Sequence, residues 1–352
     1  MQHCPFDNVT DTPESLQSSC CLDYETSIDF FYRSVQALHV VTGVLGLYFS
    51  LYYIIKYSSK HFLPQNTKVF LWITLVAIIV HSITLTAVHI LHLVQSFHAT
   101  EDDPCSVRNT VAFCAPFRYA FAFCMFILVL SQYFMYVDRL IDNFYASYKS
   151  AQNYILATLL IIEFPLAILT VLYVFRGAVS TEQLLSCLNV PLSSMVDVSI
   201  ATAALLPVNC ICLIMSVLLF QTHQRKITLS RYDVSRHFKA TMNRDAIWFM
   251  RLTTITQAVI IVLYPILVLT VRFTSHMMPR TLNKTLATFV YIFNWYCVLV
   301  PMVMIYAAKQ TRTQRRRKID SVMEKQVFGE EGSDYYFALL KDQWQQGSGG
   351  KS

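Results

Sequence analysis

The chain has 352 residues, of which 55% are hydrophobic and only 14% are charged, and its formal net charge is +6. Soluble domains carry about 25% charged residues, so a water-soluble fold with this composition would leave much apolar surface in contact with water. The composition therefore excludes an ordinary soluble domain. The positive charge lies in loops and a tail beside apolar segments, where a membrane surface is a better partner than nucleic acid.

The N-terminal segment, residues 1–33, is polar and acidic. It lacks the short apolar core followed by small residues that marks a cleavable signal peptide, so the first span has to act as the insertion signal. Asn8 begins an Asn-Val-Thr sequence, which is an acceptor for N-glycosylation. We therefore predict an extracellular segment with a glycosylation site at Asn8.

Seven segments further along the chain are apolar over the ~18 or more residues that a helix needs to cross the bilayer. They lie at 34–57, 69–96, 112–137, 152–175, 196–220, 248–272 and 284–308. The sequence thus predicts an all-α membrane protein, with a seven-transmembrane helix bundle over 34–308 and a cytoplasmic tail over 309–352. The end of the tail, 328–352, has the polar composition of a disordered segment.

Basic residues set the direction of these spans, because lysine and arginine accumulate on the cytoplasmic side. With the N-terminus outside, that side holds Lys56, Lys60, Lys68, Arg139, Lys149, Arg225, Lys226, Arg231, Arg236, Lys239 and Arg244, and the basic run that starts at Lys309. The run from Lys309 to Lys318 is expected to form a short helix on the membrane surface. The cysteines beyond the spans all fall on the opposite side, which matches the oxidising side of a plasma membrane.

The third span carries a cysteine near its start, Cys114, and a charged pair near its end, Asp138 and Arg139. A helix from Cys114 to Asp138 covers about 37 Å at 1.5 Å per residue, which is enough to cross the membrane. Cys187, in the loop after the fourth span, is the expected disulfide partner of Cys114. Cys105 also needs a partner, and the candidates are Cys4, Cys20 and Cys21, because connectivity cannot be deduced from sequence.

The seven spans, the cysteine pair and the charged pair together resemble a G-protein-coupled receptor. The resemblance implies that Arg139, held by Asp138, closes the inner end of the bundle until the sixth span moves outward. Pro265 removes a backbone hydrogen bond in that span and is a candidate hinge. The alternative is that Asp138 and Arg139 simply form a solvated helix end.

Several short runs point to one branch of these receptors. They are His61 to Lys68 before the second span, His81 within it, Asp103-Pro104-Cys105, Cys114 with Arg118, Gln132 before Arg139, and Leu229-Ser230-Arg231-Tyr232. From roughly residue 30 to 320 the chain resembles the nematode serpentine chemoreceptors of the Sra superfamily, of the Sra or Srab class. The resemblance implies an olfactory or gustatory receptor in sensory-neuron cilia, with an odorant, tastant or pheromone as ligand and a heterotrimeric G protein as partner.

Two sets of residues are candidates for these contacts. The G-protein surface is assigned to Asp138, Arg139, Arg231 and Lys239. The ligand pocket is assigned to Arg118, Tyr119, Phe121, Met125, Asn294, Trp295 and Tyr296. Arg118 is the most informative of them, because an arginine within a span is costly and is usually functional. It can either bind an acidic ligand or pair internally with Glu163 or with a carboxylate of an outer loop.

The rival class is a seven-span chemosensory channel or transporter. A transporter favours internal repeats and helices broken by paired glycine or proline, and only 8 glycines are present. His81, His89 and His92 in the second span lack the spacing of a compact metal site, so interhelical hydrogen bonds are expected there. The sequence predicts no enzyme activity, no metal site and no cofactor.

Overall fold

The computed structural model describes residues 13–57, 63–145, 147–229, 234–324 and 337. The helices in chain order are α1 (Pro13–Ile28), α2 (Phe30–Tyr57), α3 (Gln65–His98), α4 (Val111–Phe144), α5 (Tyr148–Val174), α6 (Met195–Leu229), α7 (Val234–Thr274), α8 (Arg280–Phe289) and α9 (Phe293–Glu324). Two short strands, β1 (Asn109–Thr110) and β2 (Gln183–Leu184), pair antiparallel. The predictions for Cys4, Asn8, Arg231 and, apart from residue 337, the segment 328–352 lie outside the described residues.

Within the described residues, seven helical segments are long and apolar enough to cross a membrane. They are α2, α3, α4, α5, α6, Lys239–Met277 and Arg280–Gln314. The prediction of a seven-transmembrane helix bundle is confirmed. Most of the helices run past the apolar segments that predicted them, because polar residues at the ends continue the same backbone hydrogen bonding.

The seventh span is two helices rather than one. Helix α8 ends at Phe289 and α9 begins at Phe293, and the turn between them is closed by a hydrogen bond from the Trp295 amide to the Ile292 carbonyl, 2.9 Å long. Irregular backbone at membrane depth is tolerated where protein covers it, and Val290 and Ile292 are both buried. Hydropathy does not detect this break, since the segment stays apolar throughout.

The basic run after the seventh span is part of α9, which continues to Glu324. The run is thus helical, as predicted, but it continues the helix of the seventh span instead of forming a short helix of its own. Among the described residues, those up to Ile305 form one compact unit, and those from Tyr306 onward belong to another.

Helix α1 lies in the N-terminal segment, which is too polar for a span and for which the sequence predicted no helix. It is joined to the turn before α4 by a disulfide between Cys20 and Cys105, with an S–S distance of 2.00 Å. Asp23 on the same helix is buried and forms ion pairs with Arg108, at 2.7 Å, and with Lys284 of α8. The segment is therefore packed onto the end of the bundle that holds both described disulfides, which we call the disulfide end.

Close helix contact is visible at Gly46 of α2. A Cβ atom at this position would lie 2.9 Å from the Ser82 hydroxyl of α3 and 3.1 Å from the Cys297 carbonyl of α9. Small residues let membrane helices approach this closely and gain packing energy. Glycine at position 46 therefore sets the distance between α2 and the two helices beside it.

Candidate functional site

The loop between α5 and α6 is fastened over the start of α4. Cys187 in this loop forms a disulfide with Cys114, with an S–S distance of 2.01 Å, and both cysteines are fully buried. Strand β2 of the loop pairs with β1, Asn109 lying opposite Leu184. The Cys187 amide also donates a 3.1 Å hydrogen bond to Nε2 of His92 in α3. The loop is thus tied to two helices at the disulfide end.

A cavity of about 630 Å³, counting its open side, lies below this loop. A concave, mostly apolar site with a few polar groups is typical of small-molecule sites. Its wall on α4 includes Arg118, Phe121 and Met125, three of the predicted pocket residues. Most of the remaining lining is apolar, and it includes Phe175 and Leu188 near the loop.

Arg118 is the charged residue that lines this cavity, and only 5% of it is exposed. Its Nε and Nη2 atoms have no hydrogen-bond partner among the described residues. The guanidinium lies 5.7 Å from the centre of the Phe175 ring, and Glu182 of the loop is within electrostatic range. Of the alternatives considered for Arg118, pairing with Glu163 is not observed, and the Glu163 carboxylate accepts a hydrogen bond from Ser131.

The other four predicted pocket residues lie outside the cavity lining. Tyr119 is half-exposed and packs its ring against Phe175, and Trp295 is at the surface. Asn294 is buried and donates hydrogen bonds to the His39 carbonyl and to Thr42 of α2. The Tyr296 hydroxyl donates a 3.0 Å hydrogen bond to Gln257 of α7. Asn294 and Tyr296 thus join helices.

Some aromatic residues that the sequence did not single out as ligand contacts, such as Phe126 and Phe175, line the cavity, and polar aromatic ones lie there too. Tyr264 of α7 and Tyr291 in the break of the seventh span both line it, with their rings 6.3 Å apart and perpendicular. The Tyr291 hydroxyl is 3.0 Å from Nε2 of His81, whose ring meets Phe121 edge-on at 5.4 Å. In the sequence, Tyr264 could have been noticed because it directly precedes Pro265, the candidate hinge.

The histidines of the second span make contacts between structural elements. His81 reaches Tyr291, His89 contacts Gln36 of α2, and His92 accepts the hydrogen bond from the loop. Across the described residues, no group of three or more His, Cys, Asp or Glu side chains is arranged to hold a metal ion.

The charged pair of α4 lies at the opposite end of the bundle, which we call the Arg139 end. Asp138 is 0% exposed and Arg139 is 1% exposed, and α4 continues to Phe144. The alternative of a solvated helix end was therefore wrong. The Arg139 Nε donates a 3.0 Å hydrogen bond to the Asp138 carboxylate, so the two side chains form a buried ion pair.

Residues of α3 and α5 complete the shell of this ion pair. The Tyr148 hydroxyl donates to Asp138 at 2.6 Å and accepts from Nη2 of Arg139 at 2.9 Å. Asn66 of α3 donates to Asp138 at 2.7 Å, and Gln152 of α5 donates to the Asn66 side chain at 3.1 Å. The pair is held in one orientation, since each of its partners has a further partner.

Helix α7 closes the same network from the other side. Asn243 accepts a 3.2 Å hydrogen bond from Nη1 of Arg139 and donates one of 2.6 Å to Asp142. Asp142 lies one turn beyond Arg139, at 3.6 Å, and also pairs with Lys239 at 2.9 Å. Lys239 was predicted for this end. The sequence did not assign Asp142 to this end, although its i, i+3 spacing from Arg139 could have indicated the ion pair.

We refer to Asn66, Asp138, Arg139, Asp142, Tyr148, Lys239 and Asn243 together as the Arg139 network. Beside it is an open crevice of about 1380 Å³, counting solvent, whose lining includes Lys68, Lys149 and Lys239. Between the network and the cavity, Gln132 and Tyr136 of α4 hydrogen-bond to α7, with 2.8 Å between the Tyr136 and Thr254 hydroxyls. Helices α4 and α7 therefore connect the two ends.

Comparison with protein families now identifies the type of molecule. The model of the serpentine-type 7TM GPCR chemoreceptor Sra family matches residues 15–337. The chain belongs to this Sra chemoreceptor family. The resemblance found in the sequence is thereby confirmed.

Full-length relatives of this Sra chemoreceptor occur in Caenorhabditis elegans. It is 38% identical to serpentine receptor class beta-18 over 98% of the chain and 95% of the relative. It is 24% identical to class beta-16, over 93% and 96% of the two chains, and 22% identical to class alpha-10, over 80% and 83%. The similarity covers the spans, the loops between them and the helix before them.

Proposed function

We propose that this Sra chemoreceptor binds an extracellular small molecule in the cavity below the disulfide-bonded loop and activates a heterotrimeric G protein at the Arg139 end. One observation carries the proposal. A buried arginine on α4 is held by α7 at one end of the bundle, while the same two helices line a cavity at the other end. This is the arrangement that a ligand-controlled switch requires.

The proposal places the disulfide end outside the cell. Cys20, Cys105, Cys114 and Cys187 are oxidised there, and disulfides persist on the extracellular side of a plasma membrane. The crevice at the Arg139 end is lined by lysines, which agrees with the basic character of cytoplasmic loops. We assign the receptor to the plasma membrane of sensory-neuron cilia.

Helix α7 is the moving element in this proposal. Tyr264 contacts the cavity and Pro265 follows it within the helix. Lys239 and Asn243, which lie earlier in the same helix, hold the network. A ligand that pushes on Tyr264 favours a bend at Pro265, where a backbone hydrogen bond is missing. Outward movement of the inner part of α7 then separates Asn243 from Arg139.

Arg139 is then free to turn toward the crevice, where it would contact the G protein. Hydrogen bonds to charged groups each contribute about 1.5–3 kcal/mol. A few such bonds in the Arg139 network are therefore enough to favour the resting state. Moving a two-state equilibrium from 1:99 to 99:1 takes about 5.5 kcal/mol of differential ligand affinity. In this proposal the ligand supplies that difference through its contacts with Tyr264 and the other residues that line the cavity.

The test is to express the full chain with a promiscuous G protein, screen odorants and pheromone-like molecules, and compare the receptor with Arg139→Ala. Signalling is expected to fall to background in the variant while surface expression and ligand binding are kept. Arg225→Ala, which removes an exposed positive charge in α6 beyond the fifth span, serves as the control and is expected to signal normally.

Two results would contradict the proposal. One is a response that survives Arg139→Ala at equal surface expression. The other is a ligand-gated ion current from the purified receptor without a G protein, which would favour the channel class instead.

A further inference from the structure

We propose that the natural ligand is an amphiphilic monocarboxylate, with its acidic group on Arg118 and an apolar tail directed along α4 toward Met125. This inference rests on the proposed function of the cavity as the ligand site and specifies the chemistry of its occupant. It follows from the contrast between one buried cation and the apolar wall around it.

The guanidinium of Arg118 is buried at the cavity, and not all of its hydrogen-bond donors have a partner in the described part of the chain. Only 5% of Arg118 is exposed to solvent. Its Nε and Nη2 atoms lack hydrogen-bond partners among the described residues. Leaving donors of a charged group unpaired in a low-dielectric site costs more than leaving neutral ones. Such a group is retained where something else binds it.

Glu182 is the acidic side chain with an electrostatic effect on Arg118, and it lowers the cost of the buried charge. It does not accept hydrogen bonds from Nε or Nη2. These two donors lie on one edge of the planar guanidinium, the edge that a carboxylate engages with both of its oxygens. The two unpaired donors therefore match a carboxylate in geometry as well as in charge.

The cavity favours a single negative charge. Arg118 is the one cationic side chain in its described lining, so a dianionic phosphate would bring a second charge without a partner. The hydroxyls of Thr202, Tyr264 and Tyr291 are the neutral polar groups of that lining. They can bind a hydroxyl or ether oxygen of the ligand.

The rest of the cavity defines the tail. Along α4 the distance from Arg118 to Met125 is about 10 Å, at 1.5 Å per residue. Phe121, Phe126 and Met125 line this stretch on α4, and Val198 and Ala201 of α6 face it across the cavity. An acyl chain or aryl group of medium length would bury its apolar surface here, which gains about 25 cal/mol per Å².

The experiment measures binding without a G protein. The full-length receptor is purified in a non-ionic detergent, and its melting temperature is followed against aliphatic and aryl carboxylic acids of increasing length. Each acid is paired with its methyl ester and its primary alcohol. We expect acids of medium length to stabilise the receptor, and their neutral counterparts to bind about 10- to 100-fold more weakly, the loss expected for one charged hydrogen-bonding group.

Variants assign the preference to Arg118. Arg118→Gln is expected to remove the preference of acid over ester, and Arg118→Lys to keep it at lower affinity. Arg176→Gln is the matched control, because Arg176 lies at the same end of the bundle with its side chain 59% exposed. The ratio of acid to ester binding is measured within each variant, so a change in stability alone does not alter it.

A second variant tests the direction of the tail even if Arg118→Gln does not fold. Met125→Trp fills the far part of the cavity and is expected to shift the preferred acid to a shorter chain. Equal binding of acids and esters, an acid preference that survives Arg118→Gln, or no binding by any acid of the series would overturn the inference. Acid binding by a receptor that never activates a G protein would overturn the proposed function and leave this inference standing.

Discussion

Tyr148 shows how a single hydroxyl sets the position of a buried ion pair. It lies at the start of α5, yet its oxygen donates to Asp138 and accepts from Arg139 and Asn66. Because the hydroxyl has only one proton and two lone pairs, these three contacts use its full bonding capacity. The geometry of Arg139 thus depends on a residue from another helix.

Tyr148→Phe removes this hydroxyl and leaves the ring that faces Arg139 in place. A lost hydrogen bond to a charged group weakens the resting state by about 1.5–3 kcal/mol. We therefore expect higher signalling without ligand, measured per receptor at the cell surface.

The neighbouring Tyr145 is half-exposed, so Tyr145→Phe is the matched control and is expected to leave basal signalling unchanged. Equal basal activity of Tyr148→Phe and the unmodified receptor would show that the hydroxyl does not restrain Arg139.

Helix α7, like α4, contacts both ends of the bundle. It touches α4 through the pairs between Gln132 or Tyr136 and the threonines at 253 and 254, halfway between cavity and network. Pro265 lies on the cavity side of these contacts. A bend at Pro265 therefore moves the part of the helix that holds Arg139 while Tyr264 stays at the ligand.

Pro265→Ala restores the missing backbone donor and straightens the helix. Ligand affinity is expected to change little, whereas the maximal G-protein response is expected to fall, because the bend becomes more costly. The comparison is between ligand binding and maximal response in the same cells.

Pro207 lies in α6 with an exposed ring, and Pro207→Ala serves as the control, with a normal response expected. A full response from Pro265→Ala would contradict the assignment of the hinge.

Over the whole molecule, the N-terminal helix acts as a structural part of the receptor. The disulfide from Cys20 to Cys105 links positions 85 residues apart, and Asp23 pairs with Arg108 and with Lys284 of the seventh span. A crosslink of this kind lowers the entropy of the unfolded chain, typically by an equivalent of about 2–4 kcal/mol. The disulfide also holds α1 at the disulfide end of the bundle.

Replacing Cys20 and Cys105 together by serine is expected to lower the melting temperature of the purified receptor and its amount at the cell surface. Cys210→Ser, which changes an exposed free cysteine in α6, is expected to have no such effect. An unchanged melting temperature for the double variant would show that the disulfide adds no stability.

Hydropathy and charge were sufficient to predict the seven spans and the bundle that they form. Both depend on the composition of single segments, because the length, hydropathy and flanking charges of each segment determine whether and in which direction it crosses the bilayer. The family could also be identified from short local runs, because they occur in a distinctive order along the chain. The break at Tyr291 and the length of α9 were missed, since neither changes the mean hydropathy of its segment.

What the sequence determined by itself was therefore the number of spans, the family, and Arg118 and Arg139 as the residues to examine, since a charge within an apolar helix is conspicuous without any structure. Only the tertiary structure decided the partners of these arginines. Asn66, Tyr148 and Asn243 come from three other helices, and no local pattern links them to Arg139. Asn294 and Tyr296 are polar residues within a span, so the sequence made them candidates for the pocket. In the structure their hydrogen bonds join helices. A buried polar side chain in a bundle bonds to whichever neighbour the packing brings within reach, and the sequence does not show which neighbour that is.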